Sequence, residues 1–213
     1  MLFFTSDLHF DDEGILKTDN RPFKNCKQFN NFVFKTWNKQ ATKNDTIYVI
    51  GDFLDCDNEK SDLWKKAIHY VRKIKAKVVL VVGNNEERVI KYFFDGNFEK
   101  FRDCCLNCGF KDVVKNATLN INGQEFFLTH KPKHCKVDAL NLFGHTHRAS
   151  GIYFPFGFNV GCDLSHFRLL SEEDIKWYMY MKEKYWDKDQ NLLMRFHGQN
   201  VEGWHKTKSV LQS

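Results

Sequence analysis

The chain holds little of what marks disorder, secretion or membrane insertion. Three prolines in 213 residues exclude a Pro-rich or disordered architecture, and a 42% hydrophobic share supplies an ordinary core. No apolar run approaches a membrane span, and no signal-peptide pattern precedes the apolar residues that begin at position 2. The seven cysteines are odd in number and lack a disulfide-framework spacing, so a reducing, cytoplasmic setting is expected. Cys104-Cys105-x-x-Cys108 has no second cysteine pair at zinc-site spacing and reads as buried helix cysteines. The net charge of +5 comes without a dense basic block. That balance admits an anionic substrate and argues against stable nucleic-acid binding. No repeat or low-complexity tract interrupts the chain.

What is present is a mixed pattern. Residues 24–40 carry Phe29, Phe32, Val33 and Trp37 at helical spacing, and residues 61–75 carry Leu63, Trp64, Ile68, Val71 and Ile74 behind a Ser61-Asp62 cap. Residues 97–108 read as a third helix closed by Gly109. The stretch 118–129 reads as a hairpin turning on Asn122-Gly123, and two short strands near 151–154 and 157–161 bracket Pro155. Ser171-Glu172-Glu173-Asp174 starts a final helix. The early part is βαβ-like and the later part hairpin-like, so an α/β protein with two packed sheets flanked by helices is expected. One domain over 1–186 is expected, with 187–213 as a tail that could pack on it.

Five motifs each begin where an apolar strand-like run ends. They are Asp7-Leu8-His9, Gly51-Asp52, Gly83-Asn84-Asn85-Glu86, Thr129-His130 and Gly144-His145-Thr146-His147. Ligands of α/β proteins bind at the carboxyl ends of strands. In an extended chain residues two apart point the same way, so Asp7 and His9 can chelate one ion and His145 and His147 can face one cavity. Asp52 can lend its carboxylate to two ions, while Asn84 offers an amide oxygen and His130 a nitrogen. A donor set of nitrogen and oxygen without thiolate favours manganese, iron, zinc, nickel or cobalt over calcium. Charge counting favours a pair of divalent ions: Asp7, Asp52 and a bridging hydroxide leave a positive remainder for a phosphate oxygen. Each motif alone is commonplace; their ordered conjunction is not.

The order D-x-H, G-D, G-N-x-[DE], H, G-H-x-H resembles the calcineurin-like metallophosphoesterases over about residues 1–165. Ser6-Asp7-Leu8-His9-Phe10, Arg21-Pro22-Phe23 and Trp37-Asn38 look like the small bacterial and phage phosphoesterases. The resemblance implies a two-sheet sandwich in four layers, helices outside. It places Asp7, His9, Asp52 and His147 on a first divalent transition-metal ion, and Asp52, Asn84, His130 and His145 on a second. It also implies a phosphate-ester substrate, possibly a nucleotide, attacked by a metal-bridging hydroxide. The Asp-Arg-Gly extension of the protein phosphatases is missing; Phe53-Leu54-Asp55-Cys56 stands there.

Most relatives of that pattern have histidine where this chain has Asn85. An amide can hydrogen-bond a phosphate oxygen, and Asn85 is expected to do so, but it cannot deliver a proton. Either the leaving group needs none, or His134, His166 or Lys131 supplies it, or the chain is a scaffold that kept the fold. A nuclease is a third reading. Arg21 and Lys131 are the expected phosphate cations, and Phe154, Phe156 and Phe158 could wall the substrate site.

Overall fold

The computed structural model describes residues 1–149, 151–153 and 157–186. The tail at 187–213 and the residues Phe154, Pro155 and Phe156 lie outside the described residues. Strands β1 (Leu2–Thr5), β2 (Thr46–Ile50), β3 (Lys77–Val81) and β4 (Asp112–Val114) run parallel, with β10 (Leu170–Ser171) antiparallel on β1. The second sheet has the order β5-β6-β7-β9-β8, from β5 (Ala117–Ile121), β6 (Gln124–Leu128), β7 (Leu140–Phe143), β8 (Ile152–Tyr153) and β9 (Gly157–Asn159). Both sheets are mixed, as the change of pattern along the sequence predicts.

The first sheet is buried on both faces, and the alternation of its side chains divides two cores. Phe3, Ile47, Val49, Val78 and Leu80 face the helices. Phe4, Ile50 and Val81 face the second sheet, where they meet Phe126, Leu128, Leu142 and Phe158. The helices on the first face include α2 (Cys26–Gln40), α4 (Asn84–Phe93) and α5 (Phe98–Cys108). Trp37 and Phe29 of α2 are wholly buried, whereas Phe32 is exposed and Phe34 takes the inward place expected of it. Phe158 is buried between the sheets and does not wall a substrate site.

Local signals explain most boundaries. Asn97 caps α5 and Gly109 ends it with a φ of +117°. Asn122 and Gly123, at φ +51° and +86°, make the tight turn between β5 and β6. Ser171 and Asp174 form a reciprocal capping box on α6 (Glu172–Met181). The helix expected over 61–75 is instead α3 (Leu63–Ala67) continued by a 3-10 segment from Ile68 to Lys73. Asp62 makes no cap bond; its carboxylate pairs with Lys65 at 2.6 Å. The short α1 (Glu13–Thr18) and α4 were not expected at all. The buried face of α4 is Asn85, Glu86 and Val89, so its apolar period is masked by polar residues.

The carboxyl ends of β1, β2, β3, β6 and β7 meet at one end of the sandwich. A bridge between Ser6 and Gly161 ties the two sheets there. Ser6 Oγ also donates to the Ile50 carbonyl at 2.6 Å, and Cys162 N to the Ser6 carbonyl at 2.9 Å.

Candidate metal centre

The five motifs converge. Ligand atoms of Asp7, His9 and His147 lie within 4.8 Å of one another, and so do those of Asp7, Asp52 and His130. The strands end before the ligands begin, however, and the chain is not extended through them. Asp7, His9, Asp52, His145 and His147 have φ of +60°, +49°, +53°, +71° and +47°. Left-handed backbone is costly for these residues and clusters at functional sites. Tight turns, not strand alternation, thus bring each pair of donors to one side.

Asp52 is the hinge of the arrangement. Its Oδ1 accepts from the backbone N–H of Asn85 at 2.9 Å, so Oδ2 is turned toward His130 Nε2 at 3.4 Å and His9 Nε2 at 3.6 Å. Buried Glu86 holds that loop, accepting from the amides of Gly83, Asp52 and Leu54 at 2.8, 2.9 and 3.0 Å. Asp7, fully buried, accepts from His145 N at 2.9 Å, which couples the first motif to the last. Gly144 permits this approach: a Cβ there would lie 1.8 Å from Ser6 Oγ and 2.7 Å from Asp7 Oδ2.

Each imidazole presents a defined nitrogen. His130 Nδ1 donates to the Ile50 carbonyl at 2.8 Å, leaving Nε2 toward Asp52 and, at 3.0 Å, Asn84 Oδ1. His147 Nδ1 is held by Asp19, leaving Nε2 toward Asp7 Oδ1 at 3.8 Å. His9 Nε2 is buried with no hydrogen-bond partner among the described residues, while Nδ1 faces Asp55 Oδ1 at 3.6 Å. His145 Nδ1 lies 2.8 Å from Asn84 Oδ1. The rings pair as His9 with His147 and His130 with His145, at 5.1 and 5.2 Å between centroids.

Charge follows this crowding. Burial pushes the Asp52 carboxyl up, but His130 and His9 more than offset it and hold it well below the carboxylate range. Burial likewise opposes charge on His130, yet Asp52 and Asp7 push it up to about 9. His9 is raised against its burial by Asp55, Asp52 and Asp7, and His145 is lowered by burial and by His130.

These residues form clusters that could hold divalent metal ions. Two donors sharing an ion at about 2.0–2.2 Å stand about 3–3.5 Å apart. The Asp52 contacts with His130 and His9, at 3.4 and 3.6 Å, are near that spacing and long for hydrogen bonds. The orphaned His9 nitrogen is a polar atom that burial leaves costly unless a ligand satisfies it.

The model of the calcineurin-like phosphoesterase family matches residues 2–207. The chain belongs to that family. It is 27% identical over 158 residues to the uncharacterized protein MJ1445 of Methanocaldococcus jannaschii, covering 73% of this chain and 74% of that one. It is similar in fold to the crystal structure of AQ665 from Aquifex aeolicus, a protein of unknown function. The TM-score is 0.62 at 20% identity, over 84% of this chain and 98% of the other.

Within this calcineurin-like phosphoesterase the remaining candidates fall elsewhere than the sequence suggests. Arg21 does not reach over the site. It is buried, with Nε and Nη2 on Asp163 at 2.8 Å each, and Nη1 and Nη2 on the carbonyls of Leu8 and Asp7 at 2.9 and 2.7 Å. Lys131 is paired with Glu87 at 2.5 Å. Asn85 is buried and engaged at both ends of its amide: Nδ2 lies 3.2 Å from His9 Nδ1, and Oδ1 accepts from Arg88 at 3.0 Å. Nδ2 carries a second N–H that makes no bond among the described residues, so the expected contact to a phosphate oxygen would leave both of these in place. His166 is exposed on the turn after Cys162, and His134 is exposed beside a groove.

That groove, of about 590 Å³, is lined in part by His130. Val82, Ile90, Phe98 and Phe127 supply its apolar lining; Lys91 and Lys115 line it as well, beside the paired Lys131 and Glu87. Sequence reasoning missed Asp19, Asp55 and Arg88, which contact the motifs from loops and a helix with no local signature. Asn159 was also missed. Its amide bonds Thr146 Oγ1 and the His147 carbonyl at 2.9 and 2.8 Å, which fixes the last motif.

Proposed function

We propose that this protein is a dinuclear metal-dependent phosphohydrolase acting on a phosphodiester or phosphomonoester. The observation that carries the reading is the Asp52 carboxylate, whose Oδ2 faces His130 and His9 at once, at 3.4 and 3.6 Å. A carboxylate shared between two histidine pairs suits two cations better than one. Asp7, His9, Asp52 and His147 would hold the first, and Asp52, Asn84, His130 and His145 the second. Bound there, the ions would acidify a water and stabilise charge growing on the phosphoryl oxygens.

The protein's own residues have separable tasks. Asp19 and the Ile50 carbonyl fix the imidazoles of His147 and His130, so that each keeps Nε2 inward. Glu86 keeps Asp52 in place through three amides. Asn85 has no proton to give and is tied to His9, so the leaving group departs without a protein acid from this position. General-acid help is worth about 10²–10⁴-fold, so leaving groups that are already acidic are favoured. The groove beside His130 suits an anionic organic portion of the substrate, being lined by lysines and by apolar side chains.

The test is hydrolysis of bis(p-nitrophenyl) phosphate by freshly metal-loaded protein. Activity that depends on metal and is absent from Asp52→Asn protein is expected. Metal-loaded wild-type protein that cleaves no activated phosphate ester would remove the hydrolase reading.

A further inference from the structure

We propose that Arg88 is the protein cation that grips the phosphoryl group beside this centre. The inference rests on the phosphohydrolase reading and adds to it a protein cation at the phosphoryl group. The two cations suggested by sequence are committed elsewhere. Arg21 is buried with every guanidinium nitrogen bonded to Asp163 or to the carbonyls of Asp7 and Leu8. Lys131 is neutralised by Glu87.

Arg88 differs in position, exposure and pairing. It follows Asn84 by four residues on α4, so the two side chains rise from one helix face. Helical side chains lean toward the helix N-terminus, which returns Arg88 over the first turn. Its contacts follow that lean: Nη1 donates to Asn85 Oδ1 at 3.0 Å and to the Cys56 carbonyl at 3.3 Å. Both acceptors are neutral and both lie on one nitrogen. Nε and Nη2 meet no protein acceptor among the described residues, and Arg88 itself is exposed. The nearest acid in sequence, Glu87, is taken by Lys131. A guanidinium is thus tethered, uncompensated in charge and half free, one residue beyond the proposed ligand His9 through Asn85.

The ligand chemistry follows. A guanidinium fork matches two oxygens of a tetrahedral oxyanion, and the N-terminal end of α4 favours the same sign of charge. Because arginine does not release a proton, Arg88 binds and orients without replacing the missing general acid. Its loss therefore weakens binding and leaves the limbs of the pH–rate profile where they are.

The experiment is titration calorimetry of orthophosphate into metal-loaded wild-type, Arg88→Met and Arg88→Lys proteins, with metal content measured on the same samples. Arg88→Met is expected to keep its metals and to lose phosphate affinity by about 10–100-fold. Arg88→Lys should recover part of it, as a point charge without the fork. With bis(p-nitrophenyl) phosphate, KM should rise more than kcat falls. Equal phosphate affinity of wild-type and Arg88→Met at equal metal content overturns the proposal. So does loss of metal with unchanged phosphate affinity per loaded centre, since Arg88 would then merely brace Asn85 and His9. Wild-type protein that binds no phosphate overturns it too. Phosphate binding that needs Arg88, in a protein cleaving no ester, keeps this inference and defeats only the hydrolase reading.

Discussion

Asp19 accepts a hydrogen bond from Nδ1 of His147, and that contact decides which nitrogen of the ring is left for a cation. Asp19 is the C-cap of α1, so the short helix serves to deliver one carboxylate behind one imidazole. Outer carboxylates of this kind orient a ligand and raise its basicity. Asp19→Asn is expected to weaken metal affinity by about 10–100-fold with little change in fold. Competition with a chromophoric chelator checks this; unchanged affinity would remove Asp19 from the account.

The pH dependence of the metal-free protein follows from His130. Its pKa is raised from 6.5 to about 9 by Asp52 and Asp7 against its burial. A raised folded-state value means that the charged ring stabilises the fold fully below pH 6.5, and that this is lost as pH rises through about 9. Chelator-treated protein should therefore unfold at lower urea concentration at about pH 10 than at about pH 6, and His130→Gln should flatten the difference. A cation at Nε2 needs the neutral ring, so apparent metal affinity should climb over the same interval.

Arg21 is expected to act on stability and not directly on substrate. Its guanidinium and Asp163 form a buried pair wedged against Phe29 and Phe167. Removing one partner of a buried pair costs about 3–5 kcal/mol, because the other charge is stranded. Arg21→Met should lower the unfolding midpoint accordingly. A variant with wild-type stability and a raised KM would return Arg21 to the substrate.

The groove beside His130 makes a prediction about size. Lys91→Glu together with Lys115→Glu should raise KM for a bulky anionic phosphate ester such as a nucleotide. The same pair should leave KM for a small aryl phosphate nearly unchanged. Equal effects on both substrates would mean the lysines act only through long-range charge.

The convergence of the motif residues was legible in the sequence because each motif is local: a short polar stretch directly after an apolar strand, repeated in order. The two sheets were legible from the shift between βαβ and hairpin patterns. The supports were not. Asp19, Asp55 and Asn159 contact the motifs from distant loops, and Arg88 does so through Asn85. The helix carrying Asn84 was hidden because its buried face is polar, with Asn85 and Glu86 turned toward Asp52 and His9. Arg21 misled for a related reason. A turn arginine beside a phosphate motif has the right chemistry, but only the fold reveals that Asp163 claims it.

Whether Asp52 is shared between two cations is decided by elemental analysis of metal-loaded wild-type and Asp52→Asn proteins. Close to two transition-metal ions per wild-type chain are expected, with a marked loss from both positions in the variant, since one carboxylate serves both. Wild-type protein that retains no metal after gel filtration, or an Asp52→Asn variant that retains two ions, would contradict that sharing.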